Sequence, residues 1–251
     1  MKNRIVVYTA VTGGYDKLKA VCCLEDNIDY ICITDSSFSG TIPSPWLHVV
    51  IPESKLSNKD LARYCKIMSH KLLPQYDISI WIDGNISIKG SMLNLIKDEF
   101  KEELVASYEH WGRKSVYDEM QECLKIGHDF YWTLRKQANF YKSKNFFSDV
   151  LFENNVIIRR NTDSKVIKMN EEWLSQYQTF GKRDQYSYTY AAFIANVNIK
   201  CLGEHDPRFV KRFFNYHFHK NKKHPISVSF RKLVNIFCKF VFGEKCFENR
   251  K

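Results

Sequence analysis

The 251 residues include no stretch of about 18 consecutive apolar side chains, so no segment is expected to span a bilayer. Nothing at the start reads as a secretory leader either: a β-branched run, Arg4 to Val11, stands where a longer apolar segment ending in small residues would be needed. The eight cysteines contain no pair with metal-ligand spacing, since Cys22 and Cys23 are adjacent and Cys32, Cys65, Cys123, Cys201, Cys238 and Cys246 are scattered. Together these absences point to a reducing, cytoplasmic setting. Internal repeats, low-complexity segments and recognisable nucleic-acid motifs are missing too. What remains is a chain with 44% hydrophobic and 15% aromatic residues, able to bury one large core as a single domain.

Positive charge is abundant. The net charge of +10 leaves nucleic acid, an anionic membrane face or a phosphate-bearing small molecule open as partners. Along the chain, IVVYTAV, YICITDS, WLHVVI and ISIWID read as buried strands, and KDLARYCKIMSHKLL as an amphipathic helix capped by Asn58 and closed by Pro74. Further helices are expected near 92–100, 114–125, 128–142, 166–177 and 184–195, with strands at LVASYEH and NNVIIRR. Strands alternating with helices predict an α/β fold with a mixed, mainly parallel sheet.

In such sheets ligands bind beyond the carboxyl ends of the strands. Three polar strand ends fit: Tyr8-Thr9-Ala10 with its glycine turn and Tyr15, Thr34-Asp35-Ser36, and Trp81-Ile82-Asp83-Gly84-Asn85. An acidic residue closing a buried strand is costly unless it meets a metal, a cation or a hydrogen-bond network. Asp83 and Asn85 can place two oxygen ligands on one side of a turn, although Asp-Gly-Asn is also an ordinary hairpin turn. Arg63, Lys66 and His70, spaced three and four apart, form a basic stripe that suits a diphosphate or is a wetted helix face. Arg183-Asp184-Gln185 opens a helix and offers acceptors and an amide to sugar hydroxyls, or Asp184 simply caps that helix. Glu153 before NNVIIRR, and His110 and Arg113 after LVASYEH, present polar groups at the same edge.

The pieces YTAVTGGYDKL, YICITDS, ARYCKIMSHKLL followed by YDISIWIDGNISI, HWGRKSVYDEM, and EEW with RDQYSY occur in an order that resembles the glycosyltransferase-like family named for plant TOD and MUCI proteins, which has bacterial members. The resemblance implies a GT-A-like, Rossmann-related fold and transfer of a sugar from a nucleotide-sugar donor, UDP-sugars favoured, to a glycan acceptor in bacterial lipopolysaccharide or capsule synthesis. A looser similarity to retaining GT-A hexosyltransferases implies roles for single residues. By it, Asp83 and Asn85 hold a divalent cation, Mn²⁺ or Mg²⁺, and the donor diphosphate, while Asp184 and Gln185 grip the donor sugar. It also implies a late histidine as a metal ligand, with His217 or His219 as candidates. The candidate set is therefore Asp184, Gln185 and Glu153 for catalysis. Thr9, Ala10, Tyr15, Asp35, Arg63, Lys66, His70, Asp83, Gly84, Asn85 and Arg183 are expected at the donor, and His110 and Arg113 at the acceptor. Asp83, Asn85 and His217 are expected to hold the metal. A hydrolase using the same carboxylates, or a nucleic-acid-binding protein, is the alternative class.

The last stretch differs in kind. Residues 211–251 form a basic, aromatic tail after the 1–210 domain, and ISVSFRKLVNIFCKFVFGEK has the pattern of a basic amphipathic helix. Either it docks on an anionic membrane surface, as a peripheral protein of the inner membrane face would, or Leu233, Val234, Phe237 and Phe240 pack on the domain as an ordinary last helix.

Overall fold

A computed structural model describes residues 3–14, 17–52, 54–203, 206–218 and 226–250. Nine strands are found among them: β1 (Ile5–Val11), β2 (Ile28–Asp35), β3 (Leu47–Ile51), β4 (Ile78–Ile82), β5 (Ile86–Ile88), β6 (Val105–Glu109), β7 (Phe152–Arg160), β8 (Ile199–Cys201) and β9 (Phe214–Tyr216). The helices are α1 (Asn58–Ile67), α2 (Ser69–Leu72), α3 (Met92–Leu95), α4 (Val116–Lys125), α5 (Tyr131–Ser143), α6 (Ser164–Thr179), α7 (Gln185–Ala195) and α8 (Ile226–Phe242).

Seven strands form one sheet in the order β3-β2-β1-β4-β7-β6-β8. All neighbours are parallel except β7, which runs against both β4 and β6. The mixed, mainly parallel sheet expected from the alternation of patterns is thus present. Its central strands read as continuous apolar runs because both faces are covered. On one face α1, α6 and α7 pack through Leu61, Cys65, Val166, Met169, Trp173, Tyr188 and Ala191 onto Val6, Tyr8, Ile33, Trp81 and Ile157. The other face meets Leu18, Trp46, Met92, Leu95 and Phe213. A third apolar cluster joins α4, α5 and α7, and takes in Cys238 of α8.

Strand order reverses beside β1: β2 and β3 extend to one side of it and β4 lies on the other. At such a switch point the loops leaving two adjacent parallel strands diverge to opposite faces and open a crevice. The site described below sits there. The small β5–β9 sheet brings residues 214–216 back beside the segment that follows Asp83, with Ile86 opposite Tyr216.

Two local departures from the sequence reading matter for the site. The α1 cap is Ser57, whose Oγ accepts the Asp60 N–H, so Asn58 is the first helical residue. The helix also stops at Met68, well before Pro74. The cause is Arg159, fully buried, whose guanidinium donates to the carbonyls of Lys66 at 2.7 Å and Ile67 at 3.2 Å and takes up the acceptors that a continuing helix would use. Asp60 closes the same cap and accepts the Tyr177 hydroxyl at 2.8 Å.

Candidate active site

The crevice between β1 and β4 is a cleft of about 520 Å³ lined by Ala10, Thr12, Gly13, Asn58, Lys59, Arg63, Trp81, Asp83, Gly84, Asn85 and Arg183, with Val11 and Ala62. Its volume lies within the roughly 300–1,000 Å³ typical of small-ligand sites. Each wall follows from local sequence. Gly13 and Gly14 both have φ near 60°, the left-handed region that glycine enters without cost. The turn they make lets the Gly13 N–H reach Asp35 Oδ2 at 2.7 Å and lets Thr12 Oγ1 donate to the Asn58 carbonyl at 2.7 Å. The ends of β1 and β2 and the start of α1 are thereby tied together. Hydrogen bonds from Ser37 and from the Gly13 backbone hold the Asp35 carboxyl below its usual range against the opposing effect of burial.

Asp83 is the first residue beyond β4. Its carbonyl accepts the Ile86 N–H at 2.8 Å, so the segment is a turn, as the commonplace reading had it, and lines the cleft as well. Asp83 Oδ1 accepts from Trp81 Nε1 at 2.8 Å and faces Lys66 Nζ at 3.2 Å, while its side chain is one-third exposed. Lys66 is almost completely buried and also reaches Asp184 Oδ2 at 2.7 Å; Arg63 Nε lies 3.1 Å from Asp184 Oδ1. Burial alone would raise the Asp184 carboxyl, but Arg63, Lys66 and Arg183 outweigh it and hold it far below the ordinary carboxylate range. Asp184 therefore stays ionised. It pins α1 to the start of α7 and does not cap α7 with its side chain.

Arg183 reaches across the cleft floor to a residue that the sequence reading passed over. Glu119 of α4, fully buried, pairs with Arg183 Nε at 2.6 Å through one oxygen and with Arg113 Nε through the other. Two arginines clamped on one buried carboxylate hold each other in place, and the pair links the first cleft to a second.

That second cleft, about 630 Å³, is lined by Glu109, His110, Trp111, Arg113, Lys114, Asp149 and Phe209, among others. His110 Nδ1 accepts the backbone N–H groups of Gly112 and Arg113, both at 3.0 Å. Burial lowers its pKa, with Glu153 acting against that, so the ring is neutral near pH 7. Glu153 Oε1 stands 3.7 Å from His110 Nε2, and Oε2 lies 4.0 Å from Arg208. Trp111 and Phe209, 66% and 60% exposed, meet edge to face at 6.4 Å and form an open aromatic platform.

Of the predicted donor residues, Ala10, Arg63, Asp83, Gly84, Asn85 and Arg183 share the first cleft. Lys66 lies beneath it, holding Asp83 and Asp184, and does not line it. Lys59, one turn before Arg63, does. The basic stripe runs one turn nearer the helix start than expected, because helical side chains lean toward the N-terminus and the helix ends at Met68. His70 is carried away by that break: it sits on α2, with Nδ1 facing Asn170 of α6 at 3.3 Å. Thr9 is fully buried within strand β1 and lines neither of the two clefts. Asp35 lines a neighbouring depression with Ser36 and Ser37. Gln185 is buried and donates to the Phe152 carbonyl at 2.7 Å, bracing α7 on β7, and it accepts from Arg183 at 2.8 Å. Tyr15 and His219 lie outside the described residues.

For a divalent cation, the relevant groups are Asp83, Asn85 and His217. The structure brings the last two together: the His217 N–H donates to the Asn85 carbonyl at 2.9 Å, and Asn85 Nδ2 donates to the His217 carbonyl at 2.9 Å. The His217 ring, kept toward its neutral form by burial and Lys19, lies 2.8 Å from Ser87 Oγ. The Asp83 carboxylate and the Asn85 amide line the cleft and, with the imidazole of His217, fit a divalent ion in donor chemistry, as a sparse set. Among the described residues no cluster of three His, Cys, Asp or Glu side chains adds to it.

A mainly parallel α/β sheet with one reversed strand, its cleft at the β1/β4 switch point and an aspartate closing β4, defines the class of GT-A-type glycosyltransferase domains. Residues 43–203 match the family described as TOD1/MUCI70, glycosyltransferase-like domain, and the chain belongs to that family. No curated protein sequence matches it. Among solved structures, the apo WbbM bifunctional glycosyltransferase is similar, with a TM-score of 0.51 at 11% identity, over 88% of this chain and 47% of that one. The chain thus spans about half the length of WbbM. The galactosyltransferase LgtC, in complex with donor and acceptor sugar analogues, gives 0.41 at 12% identity over 78% of this chain and 72% of that one. Mouse xyloside xylosyltransferase 1 gives 0.43 at 8% identity over 79% and 84%. At 11% identity the likeness to WbbM concerns the fold.

Proposed function

We propose that the domain transfers a sugar from a nucleotide-sugar donor, a UDP-sugar by preference, to a glycan acceptor of a bacterial surface polysaccharide. The supporting observation is a cleft at the GT-A switch point in which Lys59, Arg63 and Arg183 surround the Asp83 turn. Glycosyl transfer leaves negative charge on the departing diphosphate, and fixed cations in a water-poor cleft stabilise that charge more than bulk water does. Arg63 is oriented by Asp184 and Arg183 by Glu119, so neither has to reorganise when charge develops. A divalent ion held by Asp83 with Asn85 and His217 would supply further positive charge to the same phosphates. Asp184 is a poor proton acceptor, since a carboxylate held so far below its ordinary range has little affinity for a proton. Its role in this reading is to position cations and sugar hydroxyls.

The second cleft suits the acceptor. The Trp111 and Phe209 platform offers faces to the C–H side of a pyranose, and the His110–Glu153 pair supplies polar groups beside it. Trp111→Ala is expected to raise the acceptor KM about tenfold, in line with the loss of one aromatic contact, and to leave the donor KM unchanged.

The reading is tested by calorimetry and turnover with UDP-, GDP- and CMP-sugars, with and without Mn²⁺. Donor binding with transfer to a glycan supports it, and chelation is expected to weaken donor binding and slow transfer together. Glycan or lipid cleavage without any donor binding would favour the hydrolase reading instead.

A further inference from the structure

The last helix is amphipathic in the reverse sense. α8 is anchored to the domain by its polar side: Asn235 accepts the Tyr131 N–H at 2.9 Å and donates to the carbonyls of Leu124 at 3.0 Å and Asp129 at 2.9 Å. Arg231 Nε donates to the Gly127 carbonyl at 2.8 Å on the same side, and Cys238 is buried there. The opposite face carries Ile226, Phe230, Leu233, Phe237 and Phe240, spaced four, three, four and three residues apart, so they form one stripe along the whole helix. All five are between 61% and 90% exposed. Of the hydrophobic residues expected to pack if this were an ordinary last helix, Val234 alone does. Water-facing apolar stripes of this extent mark interaction surfaces.

Charge identifies the occupant. Residues 211–251 hold eleven Lys and Arg against Glu244 and Glu248, which accounts for nine of the ten net positive charges of the chain. We infer that α8 lies in the surface of an anionic bilayer, its Phe and Leu stripe among the acyl chains and its basic neighbours over the headgroups. A second copy of the chain would bring two strongly basic segments face to face. Nucleic acid would find aliphatic and Phe side chains where donors to phosphate are needed. Arg231, Lys232 and Lys239 interrupt the 17-residue helix, and among the described residues no helix is long and apolar enough to cross a membrane, so α8 lies on the bilayer and does not span it.

The full chain sedimented with phosphatidylcholine vesicles, with and without phosphatidylglycerol, tests this without reference to sugar transfer. The expected result is binding at least about tenfold tighter to the anionic vesicles, weakened by salt. Phe237→Ser with Phe240→Ser is expected to lower that binding at least about tenfold, with an unchanged circular dichroism spectrum because neither side chain packs on the domain. Three results would overturn the inference: equal vesicle binding by wild type and double variant, a vesicle-free dimer that the double variant abolishes, or retention by RNA in place of vesicles.

Discussion

Asp83→Ala is expected to fold and to lose sugar transfer by about 10²–10³-fold or more in kcat/KM, about 3–4 kcal/mol of transition-state stabilisation. The side chain is one-third exposed and lines the cleft, so little core packing is lost. Lys66 keeps Asp184 as its partner at 2.7 Å, which spares the variant an unpaired buried cation. The denaturation midpoint should move little, on the order of 1 kcal/mol for the hydrogen bond from Trp81. Stabilisation of the fold by Mn²⁺ should vanish together with transfer. A folded Asp83→Ala protein with full turnover would remove Asp83 from the reaction.

Asp184→Asn should act on stability first. Arg63 and Lys66 then face a neutral amide inside the protein, and breaking a buried ion pair from one side costs about 3–5 kcal/mol. For a chain of this length that corresponds to a fall in Tm of roughly 10 °C. The pH dependence has a definite sign. The folded carboxyl titrates well below the unfolded one, so its stabilising contribution is complete above about pH 4 and is lost progressively as the pH falls toward the folded value. The wild type should therefore show a steep acid limb in its stability profile that is shallower in Asp184→Asn. Coincident acid limbs in the two proteins would show that the Arg63 and Lys66 pairs contribute nothing net.

Much of the fold was legible because buried parallel strands announce themselves. IVVYTAV, YICITDS and ISIWID are β-branched, mainly apolar runs, and each became a strand paired on both sides. Capping and helix termination were less legible. Ser57 and Asn58 are both good caps, and the true end of α1 is set by Arg159, which lies 92 residues away from Ile67 in sequence. Buried charge was least legible. Lys66 was expected on a stripe facing the donor, and nothing in the pattern singled out Arg159 or Glu119, since a side chain's partner cannot be seen in its own element's pattern. His70 illustrates the converse: spacing placed it on the stripe, but the break at Met68 took it elsewhere.

By itself the sequence determined most of the strand and helix order as far as α7, the polar strand ends, the Asp83 turn and the basic character of the tail, because each is a local matter of periodicity, turn chemistry and composition. The tertiary structure decided which of those ends share one crevice, that Lys66 supports Asp83 from beneath, that Glu119 joins Arg113 to Arg183, and that α8 turns its apolar side outward. These depend on the sheet order at β1 and β4 and on contacts between elements distant in the chain. Such contacts are governed by burial and charge pairing in three dimensions, and a one-dimensional pattern carries no record of them.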